Sequence, residues 1–302
     1  MKICISSPYF PPDMGAGSTQ AWNSCIGLKK RGHDVVVVTT VPHYPDGKIP
    51  HEFLFKPFSI THNFGITVIR TWVPPIPSKG IAQRMLIWFL YAFLYNFALL
   101  IVKDIDIFLG VGGMAPSPFN IPAFINSKLR RVPLVMPEDD SIPTTIQAYW
   151  RLPGIVVRML TVISKALERS ADHIVTYSNG IKNIIISRGI DPSKITIRPL
   201  PIDTEKFQQN EILKNNIRKE RIFGRKVVVM YSGILGEMYD FRTLLEAADL
   251  LKDHKDLLFV IRGKGEEEPD IKKTIKEKKL TNVIVMDYVR ETSDLVQILS
   301  MA

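Results

Sequence analysis

Residues 1–40 read MKICISSPYFPPDMGAGSTQAWNSCIGLKKRGHDVVVVTT, and the order of patterns in this stretch decides the fold. A short apolar run at residues 2–6 leads into a loop of prolines and glycines. Apolar residues at helical spacing follow, and we expect Ser18 or Thr19 to cap that helix. The β-branched run 35–40 is typical of a strand buried on both faces. Strand, glycine loop, helix and strand in this order predict the βαβ unit of a parallel sheet.

The same alternation continues along the chain and then starts again. Strand patterns lie at residues 66–73, 105–109, 134–136, 174–177 and 195–198, with a helical pattern at 152–171. From Pro199 the chain is first proline-rich and then polar and basic. Beyond it, strand patterns at 226–232, 257–261 and 283–286 alternate with helical patterns at 241–251 and 270–279. We therefore predict an α/β protein with two Rossmann-like domains, residues 1–203 and 204–302.

The second of these domains is expected to be incomplete. Its pattern stops after three strands, inside a helical pattern that ends at Met301 and Ala302. Three strands would leave an apolar sheet edge uncovered. We expect a fragment or a truncated gene, and the competing interpretation is a naturally small domain.

Composition limits the classes of partner. The 302 residues carry a formal net charge of +9, which favours an anionic partner such as a phosphate-bearing substrate or an anionic membrane. A dense Lys/Arg block with interleaved aromatic residues is absent from the sequence, so we expect no nucleic-acid partner. Cys4 and Cys25 fall in apolar patterns and are expected to be buried in a reducing compartment. The N-terminal apolar run is too short for a signal peptide, and we expect a cytoplasmic protein.

Two glycine loops stand between a strand and a helix, where backbone N–H groups can approach a phosphate. The first loop contains Gly15 and Gly17, and the second contains Gly233 and Gly236. An ordinary tight turn is the alternative for each loop. Two such loops in matched halves suggest one ligand held in the crevice between the domains.

Charged residues supply further candidates for a site. Arg262, directly after a strand, could neutralise a diphosphate, whereas we expect Lys264 to be a solvated loop charge. Glu138, Asp139 and Asp140 end another strand; they could bind Mg²⁺, accept a sugar hydroxyl, act as a general base or lie solvated in a loop. The imidazole of His43 follows the β-branched strand at residues 35–40 and could face the crevice.

The segment Met85–Val102, MLIWFLYAFLYNFALLIV, is interrupted by one polar residue, Asn96, and is flanked by Arg84 and Lys103. Its length suits a membrane span. Strands of one sheet are predicted on both sides of it, so a span would place halves of that sheet on opposite faces of the bilayer. We expect one helix that is partly core and partly dipped into the membrane interface, with a fully buried helix as the alternative.

Several segments together resemble the retaining glycosyltransferases of family 4, which have the GT-B fold. The likeness is greatest to the branch that builds bacterial and archaeal surface polysaccharides. It covers nearly the whole chain and depends on the order and spacing of these segments: the proline loop with Gly15, the turn at 30–35, the Pro42–Pro45 loop, 170–175, 178–181, 190–195, 231–233, 244–248 and 282–283.

The resemblance implies a GT-B-like fold, with two Rossmann-like domains facing across a cleft. It places the nucleotide-diphosphate sugar mainly on the second domain and a glycan or polyprenyl-linked acceptor mainly on the first. It implies that the loops of Gly15 and Gly233 approach the donor diphosphate from opposite sides. Asp139, or a neighbour in the acid cluster, falls near the reacting sugar, so Asp139 is the candidate catalytic residue. Such enzymes need no metal or other cofactor, and the leaving diphosphate helps to activate the acceptor hydroxyl.

The sequence departs from the family pattern at two places, and two functions other than sugar transfer are considered beside it. Ile234 follows Gly233 where the family often has arginine, and the family's paired glutamates, seven residues apart, would follow residue 302. We therefore expect residues 1–302 by themselves to bind a sugar nucleotide weakly. The alternatives are a sugar-nucleotide epimerase of the same fold and an inactive truncated module that binds a membrane or partner. If the protein is a transferase, we expect it to contact an anionic membrane peripherally.

Overall fold

A computed structural model describes residues 1–13, 15–43, 47–76, 81–111, 120–140, 154–205, 207, 223–224, 226–236, 239–289 and 292–300. The chain divides into two units, Met1–Ile202 and Asp203–Ala302. The sequence places the boundary one residue later, between residues 203 and 204.

The first unit is built on a sheet whose described part has eight strands in the order β3-β4-β2-β1-β5-β6-β7-β8. Neighbouring strands are parallel except β3, which pairs antiparallel with β4 at the edge. The strands are β1 Lys2–Ser6, β2 Asp34–Thr40, β3 Phe58–Asn63, β4 Ile66–Thr71, β5 Ile107–Gly110, β6 Leu134–Glu138, β7 His173–Thr176 and β8 Ile195–Ile197.

Helices connect the parallel strands of this sheet. They are α1 Ala16–Lys30, α2 Ile81–Ile101, α3 Asn120–Arg130, α4 Gly154–Ser170 and α5 Asn179–Ser187, with short 3-10 turns at His51–Phe53 and Pro192–Lys194. Successive residues of a strand point to opposite faces, so the apolar runs bury both faces of the sheet. Ile3, Ile5, Val35 and Val37 share one core with side chains of α1.

The other face of the sheet packs on α2. Cys4, Val36, Val38 and Phe108 share a second core with buried residues of that helix. Cys25 lies in the α1 core, so both cysteines are buried as predicted. Burial raises the pKa of each thiol to about 12, which leaves both in the unreactive thiol form at neutral pH.

The start of α1 differs from the sequence prediction. Gly15 occupies the N-cap position with φ 112° and ψ 173°, and no side chain caps the helix. The prediction that Ser18 or Thr19 caps it is wrong, because both lie inside the helix and Ser18 is buried. Glycine tolerates this backbone conformation and other residues rarely adopt it, so the turn itself begins the helix.

The apolar segment predicted as one helix forms α2, Ile81–Ile101. Its inner face buries residues that include Tyr91, Tyr95 and Leu99. The Tyr91 hydroxyl lies 3.2 Å from Ser6 Oγ and donates to the carbonyl of Val38 at 3.1 Å. In the part of the chain that the structure describes, no helix combines the length and apolar character needed to cross a membrane.

The second unit repeats the architecture on a smaller scale. Its described strands form a parallel sheet in the order β11-β10-β9, and α6 and α7 share a core with it. The elements are β9 Val227–Ile234, α6 Phe241–Leu250, β10 Leu257–Lys264, α7 Glu268–Glu277, β11 Val283–Met286 and α8 Thr292–Leu299.

Candidate active site

The strand order of the first unit identifies one place, at the end of β1, where the connections leave towards opposite sides of the sheet. β1 lies between β2 and β5, so the chain leaves β1 towards one side of the sheet and later returns to its other side. In open parallel sheets, ligands bind beyond the carboxyl ends of the strands at such a switch point. The loop that carries Gly15 leaves β1 at this point.

The N-terminus of α1 has the electrostatic character of an anion site. Its first turn contains no acidic residue, and Gly15 provides no capping side chain for the free N–H groups. Gly15 is exposed. Gly17 lies within the helix, where an added Cβ would meet Tyr9 Cδ2 at 3.5 Å, an ordinary contact. Of these two positions, therefore, only that of Gly15 has a backbone conformation that requires glycine.

Buried polar side chains fasten this loop to the neighbouring strands. Asp13 Oδ1 accepts from the backbone N–H of His43 at 2.8 Å. The Arg70 guanidinium donates to the carbonyls of Pro11 and Thr40 at 2.5 and 3.2 Å. Burial lowers the pKa of Arg70 to about 10, and the charge of Asp13 partly opposes the shift, so the guanidinium stays charged at neutral pH.

His43, predicted as a substrate-binding residue, is 2% exposed. Its Nδ1 lies 3.0 Å from the carbonyl oxygen of Val41, an acceptor, so Nδ1 carries the proton and donates. Thr40 Oγ1 lies 3.3 Å from the same nitrogen and donates to the carbonyl of Pro8. His43 thus belongs to the buried layer under the β1 loop.

Glu138, the first residue of the acid cluster, is also fully buried. Its Oε1 lies 3.3 Å from Arg188 Nη1, which also pairs with Glu168 Oε1. Ser164 Oγ donates to that Glu168 oxygen at 2.9 Å. Desolvation, reinforced by the charge of Glu168 and opposed by Arg188, raises the pKa of Glu138 to about 8. The end of β6 is therefore anchored by two acids around one guanidinium.

The other two acids lie nearer the surface. Asp139 is half-buried and hydrogen-bonds the Tyr177 hydroxyl, whose pKa is raised by burial first and then by the charge of Asp139. Gln20 of α1 donates to the same hydroxyl. Asp140 is exposed, and desolvation raises its pKa. A tyrosine bridge thus joins Asp139 to the helix that begins at Gly15.

Metal binding by the acid cluster was one sequence hypothesis. Among the described residues, no group of three or more His, Cys, Asp or Glu side chains is arranged to hold a metal ion. Residues 141–150, directly after the cluster, lie outside the described residues.

In the second unit, Arg262 is buried inside β10, not after that strand as predicted, and it links β10 to β9 and to the segment after β11. Its Nη1 donates to Ser232 Oγ at 2.9 Å and its Nη2 donates to the carbonyl of Val289 at 3.1 Å. The guanidinium lies 5.3 Å from the ring centroid of Tyr288. Lys264 is exposed, as predicted.

Gly233 lies inside β9, so the sequence placed the start of this glycine loop too early, and the glycines of the second unit bring the ends of β9 and β10 into close backbone contact. A Cβ at Gly263 would meet the carbonyl oxygen of Gly233 at 1.8 Å, and one at Gly265 would meet that of Leu235 at 2.1 Å. Gly236 is buried, but a Cβ there would meet only ordinary contacts. At the start of α6 the Asp240 carboxylate accepts from the N–H of Thr243. Because a carboxylate already occupies this N-terminus, α6 is a poorer anion site than α1.

Two parallel α/β units in one chain, the first with an acid-free helix start at its switch point, define an α/β protein of the GT-B fold class. The sequence model of Glycosyltransferase Family 4 matches residues 17–206, and that of glycosyl transferases group 1 matches residues 214–302. The chain belongs to Glycosyltransferase Family 4 and is a glycosyltransferase, which confirms the family, fold class and enzyme class predicted from the sequence.

Individual relatives agree with this assignment. A protein of Escherichia coli (strain K12) described as a colanic acid biosynthesis glycosyl transferase, WcaI, is 24% identical over 297 residues, which cover 94% of this chain and 70% of the relative. Anabaena HepE in complex with UDP-glucose has a TM-score of 0.67 at 12% identity, covering 100% of this chain and 72% of that one. UDP-GlcNAc 2-epimerase from Neisseria meningitidis, bound to UDP-GlcNAc, has a TM-score of 0.59 at 13% identity, covering 99% and 75%.

Sequence reasoning missed several residues of the first unit's site region. Asp13, Arg70, Gln20 and Tyr177 hold its parts together, and none was a candidate. One signal was present for Arg70, since a charged residue inside a buried β-branched strand needs a partner. No local signal connects Tyr177 with Gln20, because 157 residues separate them in the sequence.

Proposed function

We propose that the protein transfers a sugar from a nucleotide-diphosphate sugar to a glycan or polyprenyl-linked acceptor, with retention of anomeric configuration. In this step the bond from the anomeric carbon to the diphosphate breaks, and a bond to the acceptor oxygen forms. The acceptor hydroxyl proton passes to the leaving diphosphate. Membership of Glycosyltransferase Family 4 and the likeness to colanic acid WcaI support an acceptor used in surface polysaccharide synthesis.

One observation carries the donor assignment: the acid-free, side-chain-free N-terminus of α1 at the switch point. Free N–H groups and the helix dipole favour a diphosphate there. HepE, which has a similar fold, binds UDP-glucose. We place the donor diphosphate against the loop of Gly15. We propose that the leaving diphosphate helps to activate the acceptor hydroxyl and that the reaction uses no metal or other cofactor.

Asp139 is the proposed catalytic residue. It follows the buried end of β6, and its hydrogen bond to Tyr177 restricts its position beside the start of α1. A half-buried carboxylate at this place can accept a hydroxyl of the transferred sugar. Glu138, the residue before Asp139, pairs with Arg188, and this buried ion pair helps to fix the position of Asp139. Asp140, Gly17, Gly233 and Gly236 remain proposed substrate contacts, while His43 and Arg262 act by holding loops in place.

Changing Gly15 to valine tests the donor site. We expect Gly15→Val to abolish measurable binding of the cognate UDP- or GDP-sugar in calorimetric titration, because valine cannot adopt φ 112° and would cover the helix N–H groups. Global stability should fall by about 1–3 kcal/mol, the typical cost of a strained backbone position.

Gly189→Val is the matched control, since Gly189 has φ 89° in the turn after α5 and an added Cβ there would meet nothing within 4 Å. It should lose similar stability and keep donor affinity. Wild-type donor binding by Gly15→Val would contradict the donor assignment. The epimerase alternative predicts conversion of UDP-GlcNAc without any acceptor, and the inactive-module alternative predicts no binding of any sugar nucleotide in wild type.

A further inference from the structure

A cavity of about 420 Å³ lies in the first unit between α1 and the β3–β4 edge. Its size falls within the range of small-molecule sites, about 300–1,000 Å³. Its walls are mostly aromatic and apolar with a few polar groups, which are contributed by Thr61, Asn63 and Arg70. Pro11 and Pro12, which also line it, belong to the loop that carries Gly15, so the cavity borders the proposed donor loop.

Three rings form a continuous aromatic wall. The ring centroids of Phe10 and Trp22 are 5.9 Å apart, and those of Trp22 and Phe64 are 5.4 Å apart with an interplanar angle of 81°. Phe10 is buried at the base, whereas Phe64 is 78% exposed at the rim. Because neighbouring rings meet edge to face, one ring can stack on a flat, partly apolar ligand while the next presents its edge to it.

Phe64 is an unusual residue for its position. It lies in the β3–β4 turn with φ 53° and is followed by Gly65 at φ 70°. Hairpin turns with two left-handed residues strongly favour Asn-Gly, and a bulky residue at positive φ is an outlier. The turn therefore keeps an exposed phenyl ring in a backbone conformation that disfavours it.

The polar groups of the cavity favour a neutral ligand, because the one charged side chain among the described residues of its lining, Arg70, already donates to backbone carbonyls. Arg70 is 5% exposed, and its guanidinium is directed at the carbonyls of Pro11 and Thr40. Thr61 and Asn63, which share one face of β3, contribute a neutral hydroxyl and a neutral amide. Neutral hydrogen-bonding groups beside aromatic rings match a pyranose, which has an apolar C–H face and a rim of hydroxyls.

We infer that this cavity is a subsite for a neutral sugar unit of the acceptor glycan, stacked on the exposed Phe64 ring, in contact with Trp22 and hydrogen-bonded by Thr61 and Asn63. The inference rests on the proposed function, whose acceptor class it deepens. It places one acceptor sugar at the β3–β4 edge, next to the proline loop.

Saturation-transfer NMR with lactose, cellobiose and mannobiose tests the subsite, with UDP present to occupy the donor site. We expect at least one disaccharide to bind the wild type. Phe64→Asn should weaken that binding by about tenfold, because the stacking ring is lost. The variant protein should melt at the same or a higher temperature than wild type, because asparagine suits the turn. Thr61→Val, which keeps the β-branched shape, should also weaken binding without loss of stability.

Phe55→Asn is the matched control, since Phe55 has φ 60°, is 88% exposed and does not line the cavity. It should gain similar stability and keep full sugar affinity. The subsite is overturned if no disaccharide binds, if Phe64→Asn and Phe55→Asn bind equally well, or if farnesyl phosphate displaces the sugar from the cavity. Sugar binding without any transfer activity would instead contradict the proposed function and leave the subsite standing.

Discussion

Glu138 shows what one buried acid does at the edge of the candidate site. It shares Arg188 with Glu168, and both acids are fully buried. One guanidinium cannot compensate two desolvated carboxylates fully, so the pKa of Glu138 rises from 4.5 to about 8. The acid cluster of the sequence therefore contains one buried carboxyl whose pKa is raised by its surroundings.

Glu138 should make the stability of the protein depend on pH. An acid whose pKa is higher in the folded than in the unfolded chain stabilises the fold below pH 4.5, and this contribution is lost as the pH rises towards 8. Glu138→Gln keeps the shape without the charge. We expect its melting temperature, relative to wild type, to rise between pH 5 and pH 8 in differential scanning calorimetry.

The exposed Glu277 provides the control, and Glu277→Gln should show no such trend. A relative melting temperature of Glu138→Gln that falls as the pH rises would mean that the ionised Glu138–Arg188 pair stabilises the fold. The sequence could not predict this behaviour. Three acids in a row indicate a solvated or functional loop, and the partners of Glu138 lie 30 and 50 residues away on α4 and after α5.

At the scale of elements, α2 presents two different faces. Its inner face fills the core, while a stripe at helical spacing is between 47% and 71% exposed: Leu86, Phe89, Phe93, Phe97 and Leu100. Lys103 and Arg131 are exposed beyond the C-terminal ends of α2 and α3. Arg130 of α3 donates to the carbonyls of Leu99 and Val102. The side chains of Arg84 and Met85, at the other end of the predicted segment, lie outside the described residues.

We expect this stripe to bind an anionic membrane surface. Phe89→Ser/Phe93→Ser/Phe97→Ser should weaken flotation with phosphatidylglycerol vesicles by roughly a hundredfold, since burying each ring contributes about 1 kcal/mol or more. Exposed cations near the membrane add about 1 kcal/mol each. High salt should therefore weaken flotation, and alkaline carbonate should release the protein from membranes.

The double change Phe55→Ser/Leu250→Ser is the control, because both residues are exposed and neither belongs to α2. It should float as the wild type does. Equal flotation of the triple variant and wild type would refute the membrane assignment, and retention after alkaline extraction would favour a true span.

Sequence patterns predicted most elements, and each failure has a physical cause. The edge strand β3, FSITHN, was missed because its outer face is polar and its partner is antiparallel. Helix α3 has Pro122 in its first turn, where proline is tolerated, and its apolar residues are sparse. In α5 the consecutive residues Ile184, Ile185 and Ile186 obscure the helical period.

For the whole molecule, the repeated strand–helix order predicted two α/β units, and the order and spacing of the segments that resemble the family predicted the family. The two glycine loops read alike in the sequence and differ in the structure. The first leaves the N-terminus of α1 open, and in the second Gly263 contacts Gly233 while Asp240 caps α6. Only the three-dimensional contacts separate an anion site from a close backbone approach.

The most direct measurement is the mass and anomeric configuration of the product. The protein would be incubated with UDP- and GDP-sugars and with lipid-linked glycans extracted from the membranes of its source. We predict acceptor-dependent release of nucleoside diphosphate, a glycan heavier by one sugar residue, and NMR coupling that shows the anomeric configuration of the donor. A donor returned as its epimer without acceptor would contradict glycosyl transfer, and an inverted linkage would contradict retention.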